Sequence, residues 1–413
     1  MNQRTALVIG GGIGGLTAAV ALDRRGWAVT VLERTAAPDP GSASGHLATS
    51  PGGAQRGGAG IGLAANAQRA LEALGAGDAV RAMAAPQITG ALCLPSGRRL
   101  ARMDAAAAVR RFGGPVVVAH RAELIALLGA RLPQGALRTG AAATLVDEGD
   151  PAPGGRPARA VIDDGGDGEE LSADLVVGAD GIHSAVRRAV FPGHPEPRYA
   201  GFTAWRFVAP APERPFAPHE TWGAGSLWGS IPLRDGRVYA YATAALPPGG
   251  RAADGDERAE LLRRFGDWHH PVPALLAAVD PAAVLRNDVR TAAAAPPAFH
   301  RGRVALLGDA VHPMTPHLGQ GGCQAIEDAV VLAHATAADG DLGAALAAYT
   351  RQRLPRTMDV VRRSERIGRL TLWRSRPARA LRAAGMAATA RLAPDLALRG
   401  LDGIADWRPP AAT

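Results

Sequence analysis

Two glycine-rich turns, each directly after a short apolar run, lie about three hundred residues apart in this chain. The first is GGGIGG at Gly10–Gly15, after the apolar residues 6–9. The second is GDAVHPMTPHLGQGG at 308–322, after the apolar residues 304–307. A glycine-rich turn between a buried strand and a helix brings backbone N–H groups close to phosphate oxygens. The two turns therefore predict an α/β fold whose dinucleotide site is built from both ends of the sequence.

The context of the first turn matters because glycine supplies 52 of the 413 residues, and a G-x-G-x-x-G match is expected about once by chance. Residues 6–9 are typical of a buried parallel strand, and residues 13–22 have the apolar spacing of a helix. A second strand is predicted at 27–32 and ends at Glu33, where an acid accepts hydrogen bonds from a ribose. A carboxylate there repels a 2′-phosphate, so this βαβ unit favours FAD or NAD over NADP.

The rest of the chain divides into recognisable segments. Residues 35–58 are rich in Pro, Gly, Ser and Ala and are predicted to form a long loop, and a hairpin is predicted at 87–103. The aromatic residues gather between 199 and 246, where alternating apolar and polar residues indicate an antiparallel sheet that roofs a ligand cavity. The end of a strand followed by a helix is predicted at 60–74, and helices are predicted at 120–132 and 324–335. The part from residue 342 onward is predicted to be helical and is rich in arginine.

The net charge of +8 arises without a single lysine, and it is concentrated near the C-terminus. Eleven arginines and only two acids, Asp359 and Glu365, occur between Arg351 and Arg382. Such a segment is a solvated helical face or a face that lies on an anionic membrane surface. Nucleic acid is disfavoured as a partner, because no aromatic residues are interleaved for base stacking.

Cysteine and histidine usage narrows the chemistry. Cys93 and Cys323 give no disulfide framework, and we expect a cytoplasmic protein without a signal peptide or membrane span. His312 and His317 are five residues apart across two prolines, which is unsuited to metal binding, so we expect no metal site. No Ser-His-Asp arrangement or paired-carboxylate signature is evident.

Three motifs together carry a family resemblance. GGGIGG with Glu33-Arg34, ADGIHSAVR at Ala179–Arg187, and the second glycine-rich turn occur in the order and spacing of the single-component flavin-dependent monooxygenases of the p-hydroxybenzoate hydroxylase type. The resemblance extends over residues 4–365. Residues 319–332 (GQGGCQAIEDAVVL) are most similar to the branch that contains urate hydroxylase, salicylate hydroxylase and zeaxanthin epoxidase.

The resemblance implies a Rossmann-like FAD-binding domain with an inserted antiparallel-sheet substrate domain and C-terminal helices. In this interpretation residues 1–84, 104–192 and 287–345 form the FAD-binding domain. Residues 85–103 are a hairpin of the substrate domain, 193–286 its main sheet, and 346–413 the arginine-rich C-terminal helices.

The resemblance also implies non-covalent FAD. The residues expected to hold it are Gly10, Gly12, Ile13, Gly14, Gly15, Glu33, Arg34, Arg56, Gly60, Arg121, Asp180, Asp309, Gly319, Gln320, Gly321 and Gly322. Asp309 is expected at the ribityl chain, Arg121 at the pyrophosphate, and Asp180 near the pyrophosphate and the nicotinamide donor. A turn aspartate that bonds nearby amides is the alternative for Asp180, and a surface helix arginine is the alternative for Arg121.

Catalysis is expected to rest on the cofactor, with the protein supplying position and electrostatics. The turn at Gly319 opens a helix whose amides face the flavin N1–C2=O edge and stabilise negative charge there. Pro316 matches the proline whose carbonyl faces the substrate in relatives, and His317 lies beside it. His312 is expected to be a structural turn residue. Cys323 stands where some relatives carry Asn, so that side-chain contact to the flavin is not expected.

The substrate side is defined by fewer signals. Trp205, Arg206, Trp222 and Trp228 fall where relatives line the cavity, although each also fits a packing role. Relatives that act on anionic rings place a basic residue near 225–228, where this chain is neutral. Because an unpaired buried charge is costly, we expect a bulky, largely neutral, polycyclic or indole-like substrate from secondary metabolism.

The predicted reaction is the insertion of one oxygen atom into an aromatic or polyene-like small molecule, by hydroxylation or epoxidation. NAD(P)H reduces FAD, and O2 then gives the C4a-hydroperoxide that oxygenates the substrate. No second G-x-G-x-x-G domain is evident, so NAD(P)H is expected to bind transiently. Three alternatives remain: a hydroxylase of a small anionic ring, a flavoprotein reductase, and a non-catalytic lipid-binding escort.

Overall fold

The computed structural model describes residues 3–36, 60–85, 89–163, 168–337, 340–392 and 399–411. The strands are β1 (Thr5–Ile9), β2 (Ala28–Glu33), β3 (Gly60–Leu63), β4 (Gly90–Cys93), β5 (Arg99–Met103), β6 (Val117–His120), β7 (Leu137–Thr139), β8 (Ala142–Asp147), β9 (Ala158–Asp163), β10 (Glu169–Ala173), β11 (Leu175–Gly178), β12 (Arg198–Pro210), β13 (His219–Trp222), β14 (Ser226–Pro232), β15 (Arg237–Ala244), β16 (Leu285–Thr291), β17 (His300–Arg301) and β18 (Val304–Leu306). The helices are α1 (Ile13–Asp23), α2 (Ala65–Ala73), α3 (Gly77–Ala82), α4 (Ala105–Phe112), α5 (Arg121–Gly129), α6 (Ala185–Val190), α7 (Glu257–Phe265), α8 (Val272–Ala278), α9 (Gly321–Ala335), α10 (Leu342–Thr371) and α11 (Arg376–Leu392).

A six-stranded sheet with the order β17-β18-β11-β1-β2-β7 forms the nucleotide-binding fold. The five strands from β18 to β7 run parallel to one another, as the βαβ pattern predicts, and the short edge strand β17 is antiparallel to β18. These strands read as continuous apolar runs because helices cover the sheet, and α1 packs closely on α9. Both glycine-rich turns leave this sheet at the carboxyl ends of parallel strands, which is where open α/β sheets bind ligands.

The second large sheet has seven strands in the order β16-β12-β15-β14-β13-β4-β5. The predicted hairpin is present as β4 and β5 and joins this sheet through the parallel pairing of β4 with β13. Strand β16 continues through Thr291, so the boundary predicted at residue 286 falls inside a strand of this sheet. A three-stranded sheet of β8, β9 and β10 and the pair β3–β6 complete the strands.

The two faces of the seven-stranded sheet are covered differently. Directly paired residues of neighbouring strands place their side chains on the same face. Trp205, Ala242 and Trp228 pair in sequence across three strands and face α7 and α8, which form a closed apolar core with them. Arg206, Tyr241 and Gly229 are the next residues along the same strands and face the opposite way, toward the nucleotide-binding fold.

The C-terminal helices close the molecule around these two sheets. Helix α10 begins at Leu342, with the Asp341 carboxylate capping the N–H of Ala344, and α11 packs on strand β5. The final segment 399–411 returns to α2 and α10, where Arg69 donates to the carbonyls of Ala405 and Trp407. Within the described ranges, no helix combines the length and the apolar character needed to cross a lipid bilayer.

Candidate active site

The first glycine-rich turn is shaped by close backbone contacts on one side and open space on the other. A Cβ atom on Gly15 would lie 1.9 Å from the carbonyl oxygen of Gly10, and one on Gly14 would lie 2.7 Å from Leu307. Gly10 itself has a φ of +113°. Around Gly12, in contrast, a Cβ atom would meet nothing within 4 Å. The turn is therefore closed toward the protein and open at the N-terminus of α1, as pyrophosphate binding requires.

Glu33 ends β2 beside this turn. Its Oε2 atom accepts the N–H of Gly11 at 2.8 Å and its Oε1 atom accepts the N–H of Thr35 at 2.9 Å. The carboxylate is buried, whereas Arg34 is exposed. Since a carboxylate has about four lone-pair sites, Glu33 keeps acceptors for a ribose after both of these bonds are made.

The second glycine-rich turn presents an acid and a helix N-terminus side by side. Asp309 is exposed and forms no hydrogen bond or ion pair with any other described residue. A Cβ atom on Gly321 would lie 3.8 Å from its Oδ1 atom. Gly319 adopts φ +61° just before α9, and open space surrounds it. These features fit the ribityl and ring portions of FAD, because a free acceptor and free helix amides face the same opening.

A fully buried polar network holds the start of α9 in place. The Arg353 guanidinium donates to Asp328 Oδ1 at 2.7 Å and to Glu327 Oε2 at 2.6 Å. His312 Nε2 lies 2.5 Å from Asp328 Oδ2, which also accepts the N–H of Gly308. The same network ties in the side chains of Asn66, Gln320, Gln324 and Arg356. The network thus connects Gly308 and Gln320, which lie near the two ends of the second glycine-rich turn, to α2 and α10.

Burial alone would raise the pKa of Asp328, but the charges and hydrogen bonds of His312 and Arg353 outweigh burial and lower its pKa to about 2. The sequence analysis did not identify this network. Its signal was the adjacent pair Glu327-Asp328 inside an otherwise apolar helix, since buried acids are rarely found without partners. Gln320 was expected to contact FAD, but its side chain is turned into this network, which leaves only its backbone for the cofactor.

Asp180 caps helix α6. Its Oδ2 atom accepts the N–H groups of Ala185 and Val186, and its Oδ1 atom accepts the Ser184 hydroxyl. These are the bonds of a turn aspartate, which was the alternative to a direct contact between Asp180 and the cofactor. The neighbouring Gly181 has a φ of +82° and open space where its Cβ would lie.

Arg121 and Arg206 face one another between the two folds. Arg121 opens α5 and Arg206 lies in β12, and the side chain of neither forms a hydrogen bond or ion pair with another described residue. Burial lowers the pKa of Arg121, and the Arg206 charge lowers it further against an opposing effect of Asp309. Both side chains are half-buried. The two guanidinium groups therefore face the space between the nucleotide-binding fold and the seven-stranded sheet, which is called the cavity below.

The predicted catalytic segment lies at the edge of this cavity. Pro316 and Gly319 are exposed, while His317 packs edge-on against Phe202 at 5.1 Å between ring centroids. A Cβ atom on Gly368 of α10 would lie 2.8 Å from the His317 ring, so that glycine makes room for the imidazole. Burial lowers the pKa of His317 to about 4, and the ring is therefore neutral near pH 7.

Two of the predicted substrate residues do not face the cavity. Trp205 and Trp228 are fully buried in the core beneath α7 and α8. Trp205 donates to Glu257, and Trp228 donates to Ser230. The prediction was wrong for these two residues because strand alternation turns them to the opposite face from Arg206. For both residues the packing role therefore applies.

The cavity face instead carries an acid and two tyrosines that were not predicted. Trp222 Nε1 donates to Glu220 Oε1 at 2.5 Å, and the Tyr241 hydroxyl donates to Glu220 Oε2 at 2.8 Å. Tyr239 lies 5.7 Å from Tyr241 between ring centroids and packs beneath Gly60. Burial raises the pKa of Glu220 and holds the pKa of Tyr241 well above its ordinary value. Strand alternation places Tyr239 and Tyr241 on one face of β15, but only the pairing of the strands puts that face together with Arg206 and Glu220.

The remaining candidate residues are Arg56 in the loop 35–58, Cys323, and a cluster of one histidine and two acids. Arg56 and nearly all of the loop 35–58 lie outside the described residues. The Cys323 thiol is buried against the carbonyls of Gly62 and Gly319, and burial raises its pKa to about 12. His120, Glu123 and Asp235 bring potential metal ligands within 4.8 Å of one another, but the Arg237 guanidinium already contacts His120 and Asp235.

Comparison with known proteins agrees with this geometry. The family model described as FAD binding domain matches residues 3–364. Aurachin C monooxygenase/isomerase of Stigmatella aurantiaca is 39% identical over 371 residues, which cover 89% of this chain and 90% of that protein. FAD-dependent urate hydroxylase of Klebsiella pneumoniae is 35% identical over 362 residues, which cover 86% and 87%. The crystal structure of Klebsiella pneumoniae HpxO with FAD and uric acid superposes with a TM-score of 0.81 at 29% identity and covers 96% of this chain and 97% of that one.

Proposed function

Because the chain belongs to the FAD-binding family of flavin-dependent monooxygenases, we propose that it inserts one oxygen atom of O2 into a bulky, largely neutral aromatic or unsaturated small molecule, with NAD(P)H as the electron donor. Its relatives include enzymes named for oxygenation of aurachin C, urate and 3-amino-4-hydroxybenzoate. The aurachin relative supports a role in secondary metabolism, and we place the reaction in the cytoplasm.

The strongest support for this proposal is that the two open glycine-rich turns and the cavity between the two folds meet at one place. Gly12 leaves the N-terminus of α1 free, and Asp309 and the start of α9 face the same side of the six-stranded sheet. Arg121 and Arg206 reach into the space between that sheet and the seven-stranded sheet. A dinucleotide placed along the turns would present its reactive end to that space.

FAD supplies the electron transfer and the activation of O2 when it is bound. The residues of this chain supply binding and electrostatics. The α1 N-terminus and Arg121 would hold the pyrophosphate, and Glu33 and Asp309 would accept hydrogen bonds from hydroxyl groups of the cofactor. The free amides at the start of α9 stabilise negative charge on the ring system, and preorganised donors in a water-poor site make this effect strong.

Beside the α9 turn, the described side chains on the substrate side include His317, whose ring is neutral near pH 7, while the Asp309 carboxylate is assigned to the cofactor. His317 stays neutral down to a pH near 4, because burial disfavours the imidazolium. It therefore positions substrate through its ring, and the hydrogen bond between Nε2 and Thr371 holds that ring in place. Exclusion of water by Phe202 and α10 protects the oxygenating step, which suits an enzyme whose chemistry resides in the cofactor.

The preference for a neutral substrate rests on the composition of the cavity face. Leu227 and Gly229 occupy β14 on this face, and Trp222, Tyr239 and Tyr241 supply aromatic area. A hydroxylase of a small anionic ring is the second candidate, and the unpaired Arg206 is the observation that favours it. With FAD bound, Arg121 is committed to the pyrophosphate, which leaves one cation for such an anion.

The first test concerns the cofactor. The purified protein should be yellow and should release FAD on denaturation. Gly12→Val and Asp309→Ala should each lose most of the FAD, while Asp359→Ala, at an exposed acid on α10, should retain it. No protein atom would contact a Cβ at residue 12, so lost FAD reports blocked ligand space rather than an internal clash. A colourless wild-type protein that cannot be reconstituted would overturn the proposal.

A further inference from the structure

We propose that Glu220 is the specificity-determining residue of the cavity, where its carboxylate accepts a hydrogen bond from an N–H or O–H group on the aromatic ring system of the substrate. This inference rests on the proposed function, because it assigns the substrate class of the same cavity. Nothing in the sequence pattern had singled Glu220 out.

The carboxylate is held in a fixed position by its neighbours. The Tyr241 ring lies across strand β14, and its hydroxyl reaches Glu220 on the strand beyond. This path exists only because residue 229 is glycine: a Cβ atom there would lie 2.1 Å from Tyr241 Cζ. Trp222 donates to the other carboxylate oxygen from the same strand as Glu220. Each oxygen therefore has one protein donor and keeps a free lone pair.

The charge of this carboxylate has no counterpart in the protein. No positively charged side chain of the described chain forms an ion pair with Glu220. Arg382 lies close, 5.3 Å above the Trp222 ring, but its guanidinium donates to the carbonyls of Leu370 and Gly223. A buried carboxylate with two hydrogen bonds and no cation remains under-solvated, so a ligand that brings another donor is favoured.

Glu220 nevertheless faces accessible space rather than the packed core. Like Tyr241 next to it, Glu220 is half-buried and keeps accessible surface. Its register partners Gly229, Tyr241 and Arg206 place it on the cavity face. Three strand spacings, or about 14 Å, separate the backbones of Glu220 and Arg206. The sheet surface between Glu220 and Arg206 suits a flat ring system that has a hydrogen-bond donor toward Glu220 and a hydrogen-bond acceptor toward Arg206.

The test uses the FAD-loaded enzyme and two probes that differ in a single donor: 4-quinolone, with a ring N–H and a carbonyl, and its N-methyl derivative. Binding is followed by the change in flavin absorbance. Wild-type enzyme should bind the N–H probe at least tenfold more tightly than the N-methyl probe. Glu220→Gln presents an amide that can donate as well as accept, so the preference should fall to about twofold or less.

Three other variants separate recognition from folding. Glu213→Gln, at an exposed glutamate before β13, is the matched control and should keep the tenfold preference. Tyr241→Phe and Gly229→Ala, which remove or displace the tyrosine hydroxyl without touching the carboxylate, should each reduce the preference. If Glu220→Gln fails to bind FAD, these two variants still test the proposal.

The outcomes distinguish this inference from the proposed function. Equal binding of both probes, no binding of either, or a preference that survives in Glu220→Gln would overturn the inference, even where the enzyme oxygenates other compounds. A tenfold preference that depends on Glu220, with no oxygenated product from any compound tried, would support the recognition site and count against the monooxygenase assignment. A lower KM for the N–H probe at similar kcat would add support.

Discussion

The two faces of the seven-stranded sheet are built from alternate residues of the same strands, yet one face packs in a core and the other faces the cavity. Trp205 and Trp228 lie in an apolar core closed by α7 and α8, and their indole N–H groups are satisfied by Glu257 and Ser230. One residue further along each strand, Arg206 and Gly229 face the cavity. On that face Arg206 has no partner among the described residues. The two tryptophans of the core face are satisfied internally, while the cavity face keeps a polar group for a ligand.

This difference gives each face a distinct sensitivity. Truncation on the core face removes packing and leaves a cavity, so it should appear in the free energy of unfolding. Truncation on the cavity face removes groups that contact ligand, so it should appear in binding and turnover. The comparison fails if the two kinds of variant behave alike.

The largest expected effect is on the core face. Trp228→Ala should lower the free energy of unfolding by about 3–5 kcal/mol, because it empties a fully buried site and leaves the Ser230 hydroxyl without its donor. Urea denaturation followed by circular dichroism measures the change. The folded fraction should still bind FAD and select substrate as the wild type does. A loss below about 1 kcal/mol together with lost substrate binding would place Trp228 in the cavity after all.

The next effect is a pH dependence from the core face. Burial lowers the pKa of His219 to about 4, against about 6.5 in the unfolded chain. The unfolded state therefore takes up this proton first, and stability falls as the pH decreases from about 6.5 to about 4. His219 contributes up to about 3 kcal/mol to that fall. Unfolding curves of the wild type and of His219→Phe should diverge over this interval, and parallel curves would show that His219 is not buried as a neutral ring.

A smaller effect is expected on the cavity face. Trp222→Ala should raise the substrate dissociation constant about tenfold, since it removes aromatic area and a donor to Glu220. Arg206→Ala should raise it only about threefold for a neutral substrate. Substrate-stimulated NAD(P)H oxidation across a panel of ring systems provides the measurement. Tightly coupled turnover of urate or salicylate that Arg206→Ala abolishes would contradict the neutral-substrate proposal and leave the monooxygenase assignment intact.

Much of the nucleotide-binding fold was predictable from local sequence. The βαβ unit, the hairpin at β4 and β5, and the helix after the second turn follow from apolar periodicity and turn residues, and the structure confirms them. Gly10, Gly12 and Gly15 were predictable because a phosphate site needs bare backbone at fixed positions. These signals are local, so a single sequence contains them.

The substrate side depended on information that a single sequence lacks. Alternation shows that Trp205 and Arg206 face opposite ways, but it does not show which face α7 and α8 cover. The aromatic side chains attracted the prediction, although the core uses them at Trp205 and Trp228. Glu220 reaches Tyr241 only through the pairing of β13, β14 and β15, and the Glu327–Asp328 network joins Asn66 to Glu327, 261 positions further along the chain. Tertiary pairing decides both.

The central claim is that the chain delivers one atom of O2 to a molecule bound on the cavity face, and turnover under ¹⁸O2 tests it most directly. The FAD-loaded enzyme, NAD(P)H and a panel of neutral polycyclic compounds would be incubated, and products analysed by mass spectrometry. We predict a product that carries one labelled oxygen atom for each NAD(P)H oxidised, and substrate-accelerated bleaching of the flavin. Oxidation of NAD(P)H with all of the oxygen recovered as hydrogen peroxide, and no labelled product from any compound that binds, would contradict the claim and indicate a reductase.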